Sequence, residues 1–302
     1  MKFNLTRILI IAVIFTWSCG DVPQTDDSIT NTEVSKEDLS RESSESVSQI
    51  QEIFHSVPSP LDMAAILKKS GARYDADLLN EVRKVNDYST AIDQALNLGV
   101  YGADLSYASV FNQNQESILY LSCTKKLADK LGMSKAFNDE VIERMEMNID
   151  NRDSLLNIIS ETYYNLDAYL KENNRDHISA MVIAAGWIEG LYLGTQIATT
   201  SEDPSPKLLN RIAEQKISLD NLIELVESYN TEGRLDGMME DLSKIKEAYA
   251  NVSVEKPKSS TVSKGSDGVT TIGGKTEVTL DTETLTNLTE VVAEIRSGYT
   301  EA

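Results

Sequence analysis

Between about Ile50 and Val252 the apolar residues return every three or four positions, and no stretch alternates convincingly in the manner of a half-buried strand. Ile50, Ile53, Phe54 and Val57 open the pattern. "SPLDMAAILKKSG" then reads as a complete helix, with Ser59 as cap, Pro60 in the first turn and Gly71 as stop. "DADLLNEVRKV" predicts a short helix, and a Ser89 cap starts a long one, "STAIDQALNLGVYGADLSYASVF". "ESILYLSCTKKLADKLG" stops at Gly132, and Asn138 caps "DEVIERMEMNI". "DSLLNIISETYYNLDAYLKEN" is amphipathic, and an apolar helix follows between Ile178 and Thr199. "SPKLLNRIAEQK", "LDNLIELVESY" and "LDGMMEDLSKIKEAYANV" complete the series. Short loops favour antiparallel neighbours, so the expected fold is all-α, an irregular multi-helix bundle of antiparallel helices without a fixed repeat. The body should span 49–252, followed by a flexible Ser/Thr/Gly linker over 253–277 and a last helix within 278–302 that docks back through Leu285, Leu288, Val292 and Ile295. "VTTIGGKTEVTL" allows a small hairpin turning at Gly273 and Gly274.

The apolar helix raises the first chemical question. Gly186, Gly190 and Gly194 recur every fourth residue, as do Ala91, Ala95, Gly99 and Ala103 on the earlier long helix. A glycine inside a helix costs about 1 kcal/mol relative to alanine, so a close approach of two helix axes should offset it. The expected arrangement is a central pair made by these two helices. A bilayer-spanning reading would place Glu189 near the membrane centre, where a charge is expensive, so the buried pair is preferred. Glu189 shares its side of the helix with Tyr192 and Gln196, and a buried carboxylate there needs a hydrogen-bond donor or a cation on a facing helix. On the other long helix Asp93, Asn97 and Asp104 form a stripe beside Tyr101 and Tyr107. That stripe reads either as a solvated face, the preferred reading, or as the lining of a polar pocket. Glu189, Tyr192, Gln196, Asp104 and Tyr101 are therefore the candidate binding residues.

Residues 1–18 have the form of a signal peptide: Lys2 and Arg7 precede an apolar run from Ile8 to Trp17, too short to span a bilayer, and Ser18 precedes Cys19. The segment resembles a bacterial lipoprotein signal, in which the cysteine is acylated and becomes the new amino terminus. Thr16 stands where such signals usually carry leucine, and the alternative is an ordinary cleaved signal with Cys19 incidental. Gly20 rather than aspartate follows the cysteine, so the resemblance implies the outer membrane, with the body facing the periplasm or the cell surface. Residues 19–48 are rich in Ser, Thr, Asp and Glu and poor in large apolar residues, as expected of a disordered acidic tether averaging roughly 30 Å end to end.

Charge and residue counts narrow the chemistry. Acidic residues outnumber basic ones 48 to 28, which argues against nucleic acid, since phosphate binding needs clustered Lys and Arg. Only two cysteines and two histidines occur, so a disulfide framework, a zinc cluster and most metal sites are not expected, and no cofactor is. Cys123 reads as a small core residue, and His55 and His177 have no partner at ligand spacing. Nucleophile-elbow, HExxH, Walker and dinucleotide motifs are all missing.

"QALNLGVYGADLSYASVFNQNQ" (94–115), "LADKLGM" (127–133) and "AAGWIEGLYLGTQ" (184–196) resemble a family of uncharacterised helical lipoproteins from Bacteroidetes, over a likeness running from about Phe54 to the carboxyl end. That family has no established activity, so the resemblance implies an envelope location and a helical body and transfers no catalytic residue. The expectation is a protein held to the lipid bilayer through acylated Cys19, acting as a binding or scaffold module for another envelope protein or ligand. The rival is a hydrolase-like envelope enzyme that uses buried carboxylates, with Glu189 as acid or base and Asp104 as the second group.

Overall fold

Local capping chemistry starts most of the helices. In the computed structural model, which describes residues 57–255, 261–264, 270–273 and 277–301, helix α1 (Pro60–Lys69) begins with a reciprocal box between Ser59 and Asp62. Helix α2 (Ala91–Val110) begins the same way, through Thr90 and Asp93, one residue later than the sequence suggested. Asn138 caps α4 (Asp139–Met147), and Ser205 with Pro206 starts α7 (Pro206–Ser228). Gly71 and Gly132 take positive φ just beyond α1 and α3 (Asn114–Lys130), where a residue with a Cβ would be strained. The remaining helices are α5 (Arg152–Glu172), α6 (Asp176–Thr200), α8 (Asp236–Ala248) and α9 (Thr282–Thr300). The body is thus an all-α multi-helix bundle. His177 lies in the first turn of α6.

Two segments depart from the sequence reading. "DADLLNEVRKV" forms two 3₁₀ turns, Ala76–Leu78 and Val82–Asn86, rather than one helix. The reason is tertiary: the Asn80 backbone N–H donates to Asp104 Oδ2 (3.1 Å) instead of to the preceding turn, and Leu79 is extended. The linker region holds short antiparallel ladders, β1 (Ser253–Glu255) with β4 (Glu277–Thr279) and β2 (Thr261–Lys264) with β3 (Thr270–Gly273). Gly273 is itself paired with Thr261, so the chain reverses between Lys264 and Thr270 and not at Gly273–Gly274. The leader and tether expected over 1–48, with Cys19, and also His55, lie outside the described residues.

Helix α6 sits at the centre, packed by α1, α2, α5, α7 and α9. It is apolar on all sides and, among the described residues, the one helix long and apolar enough to cross a membrane. Its surroundings explain that composition, because nearly all of it is covered by other helices. It pairs with α2 as the small-residue stripes imply. A Cβ on Gly99 would run into the Val182 carbonyl oxygen and stand 2.8 Å from the Gly186 nitrogen, so the two backbones touch there. The rest of the glycine stripe serves a different partner: Gly190 and Gly194 face Met63 and Leu67 of α1. Glycine spacing announces a close approach without saying which helix makes it.

Candidate functional site

The middle of α6 carries Glu189 into the interior, where it is 0% exposed. Its partner is Arg296, which enters from α9 and spans both carboxylate oxygens: Nε donates to Oε2 at 3.0 Å and Nη2 to Oε1 at 3.2 Å. This two-pronged geometry is what a planar guanidinium does best. The same Nη2 also donates to the Leu78 carbonyl (3.3 Å), and the guanidinium lies 4.7 Å from the centre of the Tyr192 ring.

Asp104 of α2 completes the cluster. It is also 0% exposed, which overturns the solvated-face reading of its stripe. Asn97 is equally buried, and only Asp93, at the first turn, stays near water to cap the helix. A polar stripe looks the same in sequence whether it faces solvent or another polar group inside. Burial raises the pKa of Asp104 well above the usual carboxylate range, and the neighbouring Glu189 charge adds to the shift. Burial also raises Glu189, against the opposing pull of Arg296. Arg296 is held firmly charged: burial works against its charge, but Glu189 and Asp104 more than offset that.

Around this centre runs a chain of hydrogen bonds that fastens the end of α9. Asn80 Nδ2 donates to the Tyr88 hydroxyl (2.9 Å) and to Asn97 Oδ1 (3.3 Å). Asn97 Nδ2 donates to the Tyr299 carbonyl (2.7 Å), and the Tyr88 hydroxyl donates to the Thr300 carbonyl (3.3 Å). The last carbonyls of a helix have no partners within it, so these side chains act as its cap.

No family profile, curated protein or solved structure matches this chain. The site must therefore be judged on its own geometry.

Of the five candidate residues, the structure brings Glu189, Asp104 and Tyr192 together. Tyr101 is buried nearby but spends its hydroxyl on the Glu81 carbonyl (2.8 Å), holding the second 3₁₀ turn. Gln196, one turn beyond Tyr192, is half-buried and stands outside the Arg296 hydrogen bonds. Two members were missed, Asn80 and Arg296. The signal for Arg296 was present: it is the one basic residue in α9 and continues the line of Leu288 and Val292.

The arrangement does not suit hydrolysis. A glycosidase pair flanks a bond across an open cleft, with its carboxyls roughly 5–10 Å apart. Here the two carboxyls face each other and are sealed by side chains. Cys123 offers no nucleophile either, since burial pushes its thiol up to about 12 and its Sγ–H points to the Val82 carbonyl (3.8 Å). Among the described residues no group of three or more His, Cys, Asp or Glu side chains could hold a metal ion.

Open surfaces lie elsewhere. A groove of about 510 Å³ runs between α8 and α9, with Ala248, Val291 and Ile295 among the residues at its base. Asp241, Glu247 and Glu294 line it against one cation, Lys244, which is already paired with Glu240 (2.9 Å) and Asp241 (3.5 Å). A second cleft, of about 620 Å³, is walled largely by the loops at 70–75 and 200–205.

Proposed function

We propose that the protein is a lipid-anchored module of the cell envelope that binds another envelope component along the groove between α8 and α9. The observation that carries this reading is the groove itself, apolar at its base and acidic at its edges. Its chemistry suits a segment of a partner protein that presents Lys or Arg beside apolar side chains, as in an amphipathic helix laid into a groove. The short apolar leader ending at Cys19 supports the envelope location, as does the resemblance to envelope lipoproteins. The sealed state of Glu189 and Asp104 favours binding over the carboxylate-enzyme alternative.

Two measurements test the proposal. Cys19→Ala should move the protein from the membrane fraction to the soluble fraction of the cells, and a variant that remains equally membrane-bound rules out lipid anchoring. Capture from solubilised envelopes should be compared between the wild type and a Glu247→Lys/Glu294→Lys double variant, both of which are exposed positions. A genuine groove partner is retained by the wild type, lost by the variant and weakened by added salt. Identical capture by both proteins rules out the groove.

A further inference from the structure

Two carboxyls and one guanidinium meet in the interior, so charge counting leaves one negative charge without a counter-ion. The hydrogen bonds show where it falls. Glu189 takes both arms of Arg296, whereas Asp104 has only the Asn80 N–H, on Oδ2. Its other oxygen, Oδ1, is buried and meets no donor among the described residues. A bare carboxylate oxygen facing a second carboxylate in a dry interior is costly. A carboxylic acid at the same place resolves the conflict, because its O–H donates to Glu189.

We propose that Asp104 and Glu189 hold one proton between them, and that this proton latches the C-terminal helix α9 to the body, so that its loss lets α9 lift.

Helix α9 is the cover that can yield. The other two walls, α2 and α6, are in backbone contact at Gly99 and Gly186 and cannot part locally to admit water. Of the three charged groups Arg296 is the most accessible, its side chain 15% exposed where Glu189 and Asp104 are sealed. Water reaches a newly charged pair most easily along its stem.

Apart from Arg296, the titratable groups facing the pair stay neutral through the physiological range. Burial pushes up the hydroxyls of Tyr120 on α3, Tyr163 on α5, Tyr101 on α2 and Tyr192 on α6. Tyr74, before the first 3₁₀ turn, and Cys123 behave alike, and Arg296 stays charged. The pair is thus left to titrate alone against one fixed cation. Its proton is bound more tightly in the folded than in the unfolded protein, so the stability this proton contributes is fully present at and below the ordinary aspartate value of 3.8. It declines as pH rises from there toward the folded-state value.

Asp104→Asn tests the latch, since the amide NH₂ replaces the acid O–H and the amide oxygen still accepts from Asn80. Amide hydrogen exchange of α9, corrected for intrinsic rates, is followed in the full-length protein from pH 5 to 9. In the wild type, protection over 288–295 should fall at least tenfold with rising pH while α2 and α6 keep theirs. In Asp104→Asn it should stay flat at the acid wild-type level. An unchanged pH profile in the variant, flat wild-type protection, or an equal loss across α2, α6 and α9 would overturn the proposal. Infrared spectra supply a readout that does not depend on the variant: the folded wild type at neutral pH should show a protonated carboxyl band, and its absence there also overturns the proposal.

Discussion

Arg296→Ala is expected to destabilise the body by about 3–5 kcal/mol, because it strips the counter-ion from a carboxylate that cannot reach water. Glu189 is 0% exposed, and Arg296 donates to both of its carboxylate oxygens. The same change removes the hydrogen bond to Leu78 and the stack on Tyr192. Chemical denaturation at neutral pH is the measurement, and a loss below about 1 kcal/mol would mean that the cluster is wetter or looser than its geometry implies. Substitutions at Glu189 calibrate the result. Glu189→Gln keeps an acceptor for the guanidinium and gains an N–H for Asp104, whereas Glu189→Ala leaves Arg296 facing a void. The alanine variant should therefore be the less stable of the two, by about 1–3 kcal/mol.

Gly99→Ala should be the second most damaging change, at about 3 kcal/mol, despite alanine's better helix propensity of about 1 kcal/mol. The added methyl would meet the Val182 carbonyl and the Gly186 nitrogen, and neither backbone atom can rotate away. The glycines on α6 provide a graded comparison. At Gly190 the methyl would stand 3.0 Å from Met63 Cβ and 3.2 Å from its Cγ, on a side chain with some freedom to adjust, so the cost should be smaller. At Gly194 the nearest atom is Leu67 Cδ2 at 3.4 Å, an ordinary contact, and alanine there should be neutral or stabilising. Melting temperatures of the three alanine variants should rise in the order 99, 190, 194. If the Gly99 variant is not the lowest of the three, the tightest helix crossing lies elsewhere.

What could be read from the chain in advance was what depends on near neighbours. Ser59 with Pro60, Asn138, Gly71 and Gly132 mark helix ends because capping is settled within a few residues. The apolar repeat was enough for an all-α bundle, and small residues at every fourth position were enough to pair α2 with α6. Readings failed where a distant partner decides. Residues 75–85 have a helical pattern, yet Asp104 takes the Asn80 N–H and the helix does not form. Asn97 and Asp104 have the spacing of a wet face, yet α9 and α6 cover them. The need of Glu189 for a donor on a facing helix could be stated from burial alone. That the donor would be Arg296 required knowing that the apolar stripe of α9 lands on this part of α6.

The Glu189–Arg296 pair joins positions 107 residues apart. A growing chain presents Asp104 and Glu189 long before Arg296 arrives. Until then, closing α2 on α6 would enclose two carboxyls with no cation, so the closing of this pair should wait for one. Final compaction of this interior should therefore follow the arrival of Arg296 on α9.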